Sequence, residues 1–223
     1  ASYRRQRQMC IRDSLMSLQD KIIKEFDIAL KTLSNKKSGT EREYPTTDKS
    51  PELSDDEKKL SSQLMRVNLA GEVAAQALYR GQAFVCKDQN VRDHLVHAGD
   101  EETDHLIWCK KRLDELGGRQ SILNPIWYAG SFAIGAFFGS LGEGKSLGFV
   151  EETEKQVVKH LEKHLDRVSE NDVDTIAILK TMRQDEDDHA NEASENGSEE
   201  LSGTTKKIMG YVAKLMTSTS AHI

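Results

Sequence analysis

Proline occurs only three times in this 223-residue chain, and aromatic residues amount to 6%. Few helix breakers and few strand-favouring aromatics, beside abundant Glu, Lys, Leu and Ala, exclude a sandwich or barrel and point to an all-α fold. Cysteine is equally sparse. Cys10, Cys86 and Cys109 are odd in number and far apart, which excludes a disulfide framework and suits a reducing compartment. No Gly-x-Gly-x-x-Gly follows a strand-like run, so no doubly wound nicotinamide site is evident. Positive charge is in deficit too: the net charge of −6 argues against nucleic acid as a partner.

What is present divides into three parts. Residues 1–15 are Arg-rich and lack the apolar run of a secretory signal. An Arg-rich transit peptide fits the composition, but the run from Arg7 to Ser14 reads better as translated vector sequence, with a native start at Met16. Residues 16–53 begin with an amphipathic helix carrying Leu18, Ile22, Ile23, Phe26 and Leu33, expected to pack on the main domain or lie near a membrane. A polar stretch from Ser34 to Asp56, with Gly39, Pro45 and Pro51, reads as a flexible linker. Residues 54–223 form the main domain. Ser54 and Glu57 make a capping box opening a helix over 55–86, and Gly71 within it offers room for a metal or a neighbouring helix. Further helices are expected over 91–116, 145–168 and 173–195, the first of them stopped by Gly117-Gly118. A basic amphipathic helix around Lys206 to Met216 is suited to anionic lipid or to capping the domain.

Two short stretches organise the rest. Glu102-x-x-His105 and Glu186-x-x-His189 each place a carboxylate and an imidazole on one helix face. Glu72 precedes Glu102 by 30 residues, and Glu154 precedes Glu186 by 32. The midpoints, Lys87 to Asn90 and Ser169 to Asp172, are turn-prone tetrads. Two helical hairpins result, each with its glutamates roughly 22 Å from the bend at ~1.5 Å per residue. Side by side, they bring four Glu and two His to one level. All six lie in apolar stripes, for example Leu95, Ala98, Cys109 around the first motif and Leu179, Met182, Ala193 around the second. Buried carboxylates are costly unless paired or metal-bound, and two divalent ions would neutralise four of them. Carboxylate and imidazole donors suit iron or manganese.

Between the hairpins, Ser121 to Gly142 contains no charged residue and is rich in Ile, Phe and aromatic side chains. Its length fits a transmembrane span. One span there, however, would separate Glu72, Glu102 and His105 from Glu154, Glu186 and His189. It is therefore read as a long crossover, partly embedded in a membrane surface or lining an apolar channel, with a buried core helix as the alternative.

One Glu on each of two helices and Glu-x-x-His on each of the others resembles the ferritin-like di-iron proteins, four-helix bundles with one long crossover. The likeness narrows further. Arg66 to Glu72, Glu102 to Trp108, Glu154 with Gln156-Val157 and His160, and Glu186 to His189 resemble the demethoxyubiquinone hydroxylase family of ubiquinone biosynthesis. So do Leu123-Asn124-Pro125 and Ser146 to Phe149, and the resemblance runs from about Leu64 to the end. It implies a membrane-associated mono-oxygenase that hydroxylates a polyprenylated methoxy-methyl-benzoquinol with dioxygen. It also implies two ferrous ions held by Glu72, Glu102, His105, Glu154, Glu186 and His189, with Glu102 and Glu186 bridging. His160 matches a family histidine that stands behind the ligands or moves protons; an ordinary helix histidine is the alternative. Leu69 stands where the family usually has His. The implied location is peripheral, on the cytoplasmic face of a bacterial inner membrane or the matrix face of the mitochondrial one. A protein partner or a second copy stays open. The rival readings are a ferroxidase or iron-storage protein without an organic substrate, a membrane adaptor, and a tRNA-modifying di-iron enzyme. Glu101, one position round the helix from Glu102, is expected to take no part in the site.

Overall fold

A computed structural model describes residues 17–36, 38–47 and 50–223, so the leader before Met16 lies outside the described residues. The chain divides into two units, residues 1–37 and 38–223. In the first, helix α1 (Leu18–Leu33) starts at a capping box in which Ser17 and Asp20 satisfy each other's ends. Its apolar residues Leu18, Ile22, Ile23, Phe26 and Leu30 are exposed.

The second unit is all helix among its described residues: α2 (Asp55–Val85), α3 (Gln89–Glu115), α4 (Asn124–Ser140), α5 (Glu143–Leu165), α6 (Val173–Glu195) and α7 (Gly203–Ser220). The Ser54–Glu57 capping box is present at the start of α2. Asp88 and Asp172 cap α3 and α6. α2 and α3 form one hairpin, α5 and α6 the other, and α4 is the crossover; the hairpins meet between α3 and α6. The stripes read from the sequence face inward, with Met65, Leu69, Leu95, Leu147, Leu161, Leu179 and Met182 all fully buried. At the far end Arg112 donates to Asp172 at 2.6 Å and to Thr175 at 2.9 Å, tying the end of α3 to the start of α6.

The crossover is neither a span nor a core helix. No described helix is long and apolar enough to cross a membrane. α4 instead lies along α2 at backbone contact: a Cβ at Gly135 would overlap the Leu78 carbonyl, and one at Gly81 the Phe132 carbonyl. Small residues permit this approach. Tyr128 and Asn124 are buried beneath, whereas Ile122, Ile126, Phe137 and Leu141 face outward. Trp127 reaches α7, where its indole N–H donates to Ser220 Oγ at 3.1 Å. No neighbouring helix makes the close approach that Gly71 would permit, since a Cβ there would meet nothing within 4 Å.

The polar stretch that opens the second unit has no helix or strand over residues 38–47, yet it is held along α3 and α6. Thr40 N–H donates to Asp104, Tyr44 Oη donates to Glu115 at 3.0 Å, and Thr47 N–H donates to Asp174 at 2.9 Å.

Candidate metal centre

Glu72 on α2, Glu102 and His105 on α3, Glu154 on α5, and Glu186 and His189 on α6 are all buried at one level of the bundle. Four of them, Glu72, Glu102, His105 and Glu186, each bring a donor atom within 4.8 Å of the others.

The two glutamates from the Glu-x-x-His motifs divide their oxygens between the histidines. Glu102 Oε2 lies 3.1 Å from His105 Nδ1, and its Oε1 lies 3.0 Å from His189 Nδ1. Glu186 Oε1 lies 3.2 Å from His105 Nδ1, and its Oε2 lies 3.6 Å from His189 Nδ1. Glu72 flanks the His105 half, with Oε2 3.9 Å from Nδ1. Glu154 belongs to the other half, where its charge is felt by Glu186 and by His189, and its Oε1 accepts from Tyr79 Oη at 2.8 Å. Glu102 Oε1, Glu186 Oε2 and His189 Nδ1 are buried without a well-aligned hydrogen bond. Such atoms are rare in native interiors unless a ligand serves them. Their aim at shared space, and the carboxylate and imidazole donor set, fit a pair of divalent ions.

Charge is balanced here by protons when no cation is bound. Burial pushes the Glu72 and Glu154 carboxyls well up, and the charges of Glu102 and Glu186 add to this. Burial also opposes ionisation of Glu102, but His105 and His189 outweigh it and hold Glu102 well below the carboxylate range. The same carboxylates overcome burial at both imidazoles, raising His105 well above its ordinary value and His189 to about 12. A divalent cation must displace these protons, so affinity rises with pH.

The groups behind the histidines are ones that spacing did not reveal. Asp185 Oδ2 accepts from His105 Nε2 at 2.8 Å, and Glu101 Oε2 lies 3.1 Å from His189 Nε2. The acid just before each motif thus backs the histidine of the other motif. Glu101, expected to stand apart, touches the centre's second histidine. The signal was there in the paired sequences Glu101-Glu102 and Asp185-Glu186, but which partner each acid meets is a tertiary fact. His160 lies six residues beyond Glu154, about 120° round the helix at ~100° per residue. Its ring lies tilted against that of His164, centres 4.0 Å apart, and burial, with Lys163 and Arg167, lowers its pKa to about 4. Leu69, one turn before Glu72, is fully buried and supplies no hydrogen bond.

A crevice lined by Ala75, Leu78, Tyr79, Phe149, Val150 and Glu154 reaches the centre between α2 and α5. Phe149 at its edge stacks on Phe138 of the crossover, ring centres 4.0 Å apart.

Residues 59–220 match the sequence model of the family described as ubiquinone biosynthesis protein COQ7. A 3-demethoxyubiquinol 3-hydroxylase from Nitrosococcus oceani is 48% identical over 206 residues, covering 92% of this chain and 96% of the relative. One of the same name from Legionella pneumophila (strain Lens) is 49% identical over 209 residues, 93% and 98% of the two chains. Another from Delftia acidovorans is 46% identical over 204 residues, 92% and 100%.

Proposed function

Since the chain belongs to the COQ7 family of ubiquinone biosynthesis proteins, matched over residues 59–220, we propose that it is a di-iron mono-oxygenase. In this reading it hydroxylates the ring of a polyprenylated methoxy-methyl-benzoquinol; its relatives are named 3-demethoxyubiquinol 3-hydroxylases. The observation that carries this reading is the division of oxygens at Glu102 and Glu186 between His105 and His189. Carboxylates so placed would hold both ions of a pair. Glu72 and His105 would complete one ion's ligands, and Glu154 and His189 the other's. Two ferrous ions held there would supply the electrons and the binding site for dioxygen.

The chain's own residues do the rest. Tyr79 orients Glu154 by a hydrogen bond. Asp185 and Glu101 fix the imidazole rings from behind, which sets the tautomer and raises ligand basicity. Leu106, Cys109, Leu179 and Met182, all buried, keep bulk water from the centre. The crevice between Tyr79 and Phe149 has no room for a quinol ring as it stands, so the head group would enter on that side with these side chains moved apart, while its prenyl tail stays in lipid.

The membrane face in this reading is α4 with α7. Ile122, Ile126, Phe137 and Leu141 are exposed on the first, and Ile208, Tyr211 and Leu215 on the second beside Lys206, Lys207 and Lys214. Apolar side chains flanked by lysines suit the surface of an anionic leaflet. The location we infer is the cytoplasmic face of a bacterial inner membrane. Iron storage is not favoured, because the relatives are named as hydroxylases. The test is to incubate the iron-loaded protein with the demethoxy quinol, a reductant and dioxygen, and weigh the product. A gain of one oxygen atom is expected. Iron oxidation with the quinol recovered unchanged would reject the assignment.

A further inference from the structure

The two halves of the centre are not equivalent. On the His189 side the backing acid Glu101 is about one-third exposed, and its other oxygen lies 3.8 Å from His97 Nε2. On the His105 side Asp185 is covered by Arg42, whose guanidinium donates twice to its carboxylate, at 2.7 and 3.1 Å. One oxygen, Asp185 Oδ2, therefore receives both Arg42 Nη1 and His105 Nε2. Arg42 also lies 5.0 Å over the Trp108 ring, and Trp108 packs 5.4 Å from the His105 ring. Both supports of His105 are thus touched by one guanidinium.

Arg42 is held there by the segment that bears it. Gly39 passes so close to Asp104 that a Cβ would overlap the carboxylate, whose oxygens accept from the Thr40 N–H at 3.0 and 3.2 Å. Lys111 Nζ sits 3.8 Å from the Tyr44 ring centre, and Thr46 and Thr47 donate to Asp174. Anchors thus flank Arg42 on both sides. A bidentate guanidinium fixes the plane of a carboxylate as a lysine cannot.

We propose that residues 38–47 form a strap whose Arg42 is a positioning residue for the metal centre, setting Asp185 and, through it, His105. The strap acts mainly on the ion held by Glu72 and His105, because Arg42 hydrogen-bonds Asp185 but reaches Glu101, behind His189, through its charge alone. This rests on the di-iron reading above. Backing hydrogen bonds of this kind change metal affinity by about 10–100-fold, and the same scale is expected here for one ion of two.

The test is a cobalt(II) titration of the full-length metal-free protein, followed by its visible ligand-field bands. Wild type is expected to bind two equivalents; if it binds none, the di-iron reading fails before the strap is tested. Arg42→Ala is expected to weaken one equivalent about tenfold and shift that ion's bands, with the other changed far less. Asp185→Asn should weaken the same equivalent, and Arg42→Lys should recover part of the loss. Arg42→Gln keeps a stem over Trp108 and serves if the alanine variant loses helical content. Wild-type affinity for both ions in the Arg42 variants, or an equal loss at both in a folded variant, would overturn the proposal.

Discussion

The phenol of Tyr79 donates to Oε1 of Glu154 across 2.8 Å, and both side chains are buried. Tyr79 stands seven residues after Glu72, two helical turns along the same face. The helix that supplies one carboxylate therefore steadies another, Glu154 on α5. Tyr79→Phe leaves a buried acceptor without its donor, at a cost of about 1–3 kcal/mol. Urea unfolding of the metal-free variant should show that loss with the helical signal unchanged at low urea.

Glu101 and Glu102 differ by one position and by one layer of the site. Glu102→Ala removes the oxygens facing both histidines, and iron binding should be lost altogether. Glu101→Ala removes only the contact behind His189. Its iron should remain, with affinity for one ion lower by about tenfold. Iron analysis after dialysis at graded chelator concentrations separates the two; equal loss would mean that Glu101 itself ligates.

The six clustered side chains were legible because helical periodicity converts spacing into height and face, and the intervals of 30 and 32 residues fixed both. Helix order and turns followed from the same periodicity and from capping residues such as Ser54 and Asp172. The partners of Asp185, Glu101 and Arg42 were not legible. They depend on how one hairpin meets the other, which no local pattern encodes. The strap escaped notice for a related reason. Thr40, Thr46 and Thr47 look like solvated linker until Asp104 and Asp174 are seen to accept from them.

The crossover offers a paired test of packing. Gly135→Ala puts a methyl against the Leu78 carbonyl and should destabilise by about 3 kcal/mol, the upper range for overpacking. Gly130→Ala, on the same helix with nothing within 4 Å, should instead stabilise by about 0.5–1 kcal/mol through helix propensity. Thermal melts of the two variants should move in opposite directions.

The His160–His164 pair sets an acid limit. Burial, with His160 and Arg167, lowers His164 to about 3. The unfolded chain takes up that proton below roughly pH 6.5, whereas the folded one does not until about 3. Stability from this group is therefore complete above pH 6.5 and is lost as pH falls toward 3. Between pH 6.5 and 5 the loss is about 2 kcal/mol. His164→Gln should remove this contribution, so wild type should lose about 2 kcal/mol more than the variant between pH 7 and 5 in urea unfolding. Parallel losses in the two proteins would show that the pair does not titrate with folding.

Anomalous diffraction at the iron edge from crystals of the iron-loaded protein tests the central claim most directly. The account predicts two peaks within the bundle, each beside one histidine, with Glu102 and Glu186 reaching both. A single peak, or iron bound away from Glu72, Glu154 and the two histidines, would contradict it.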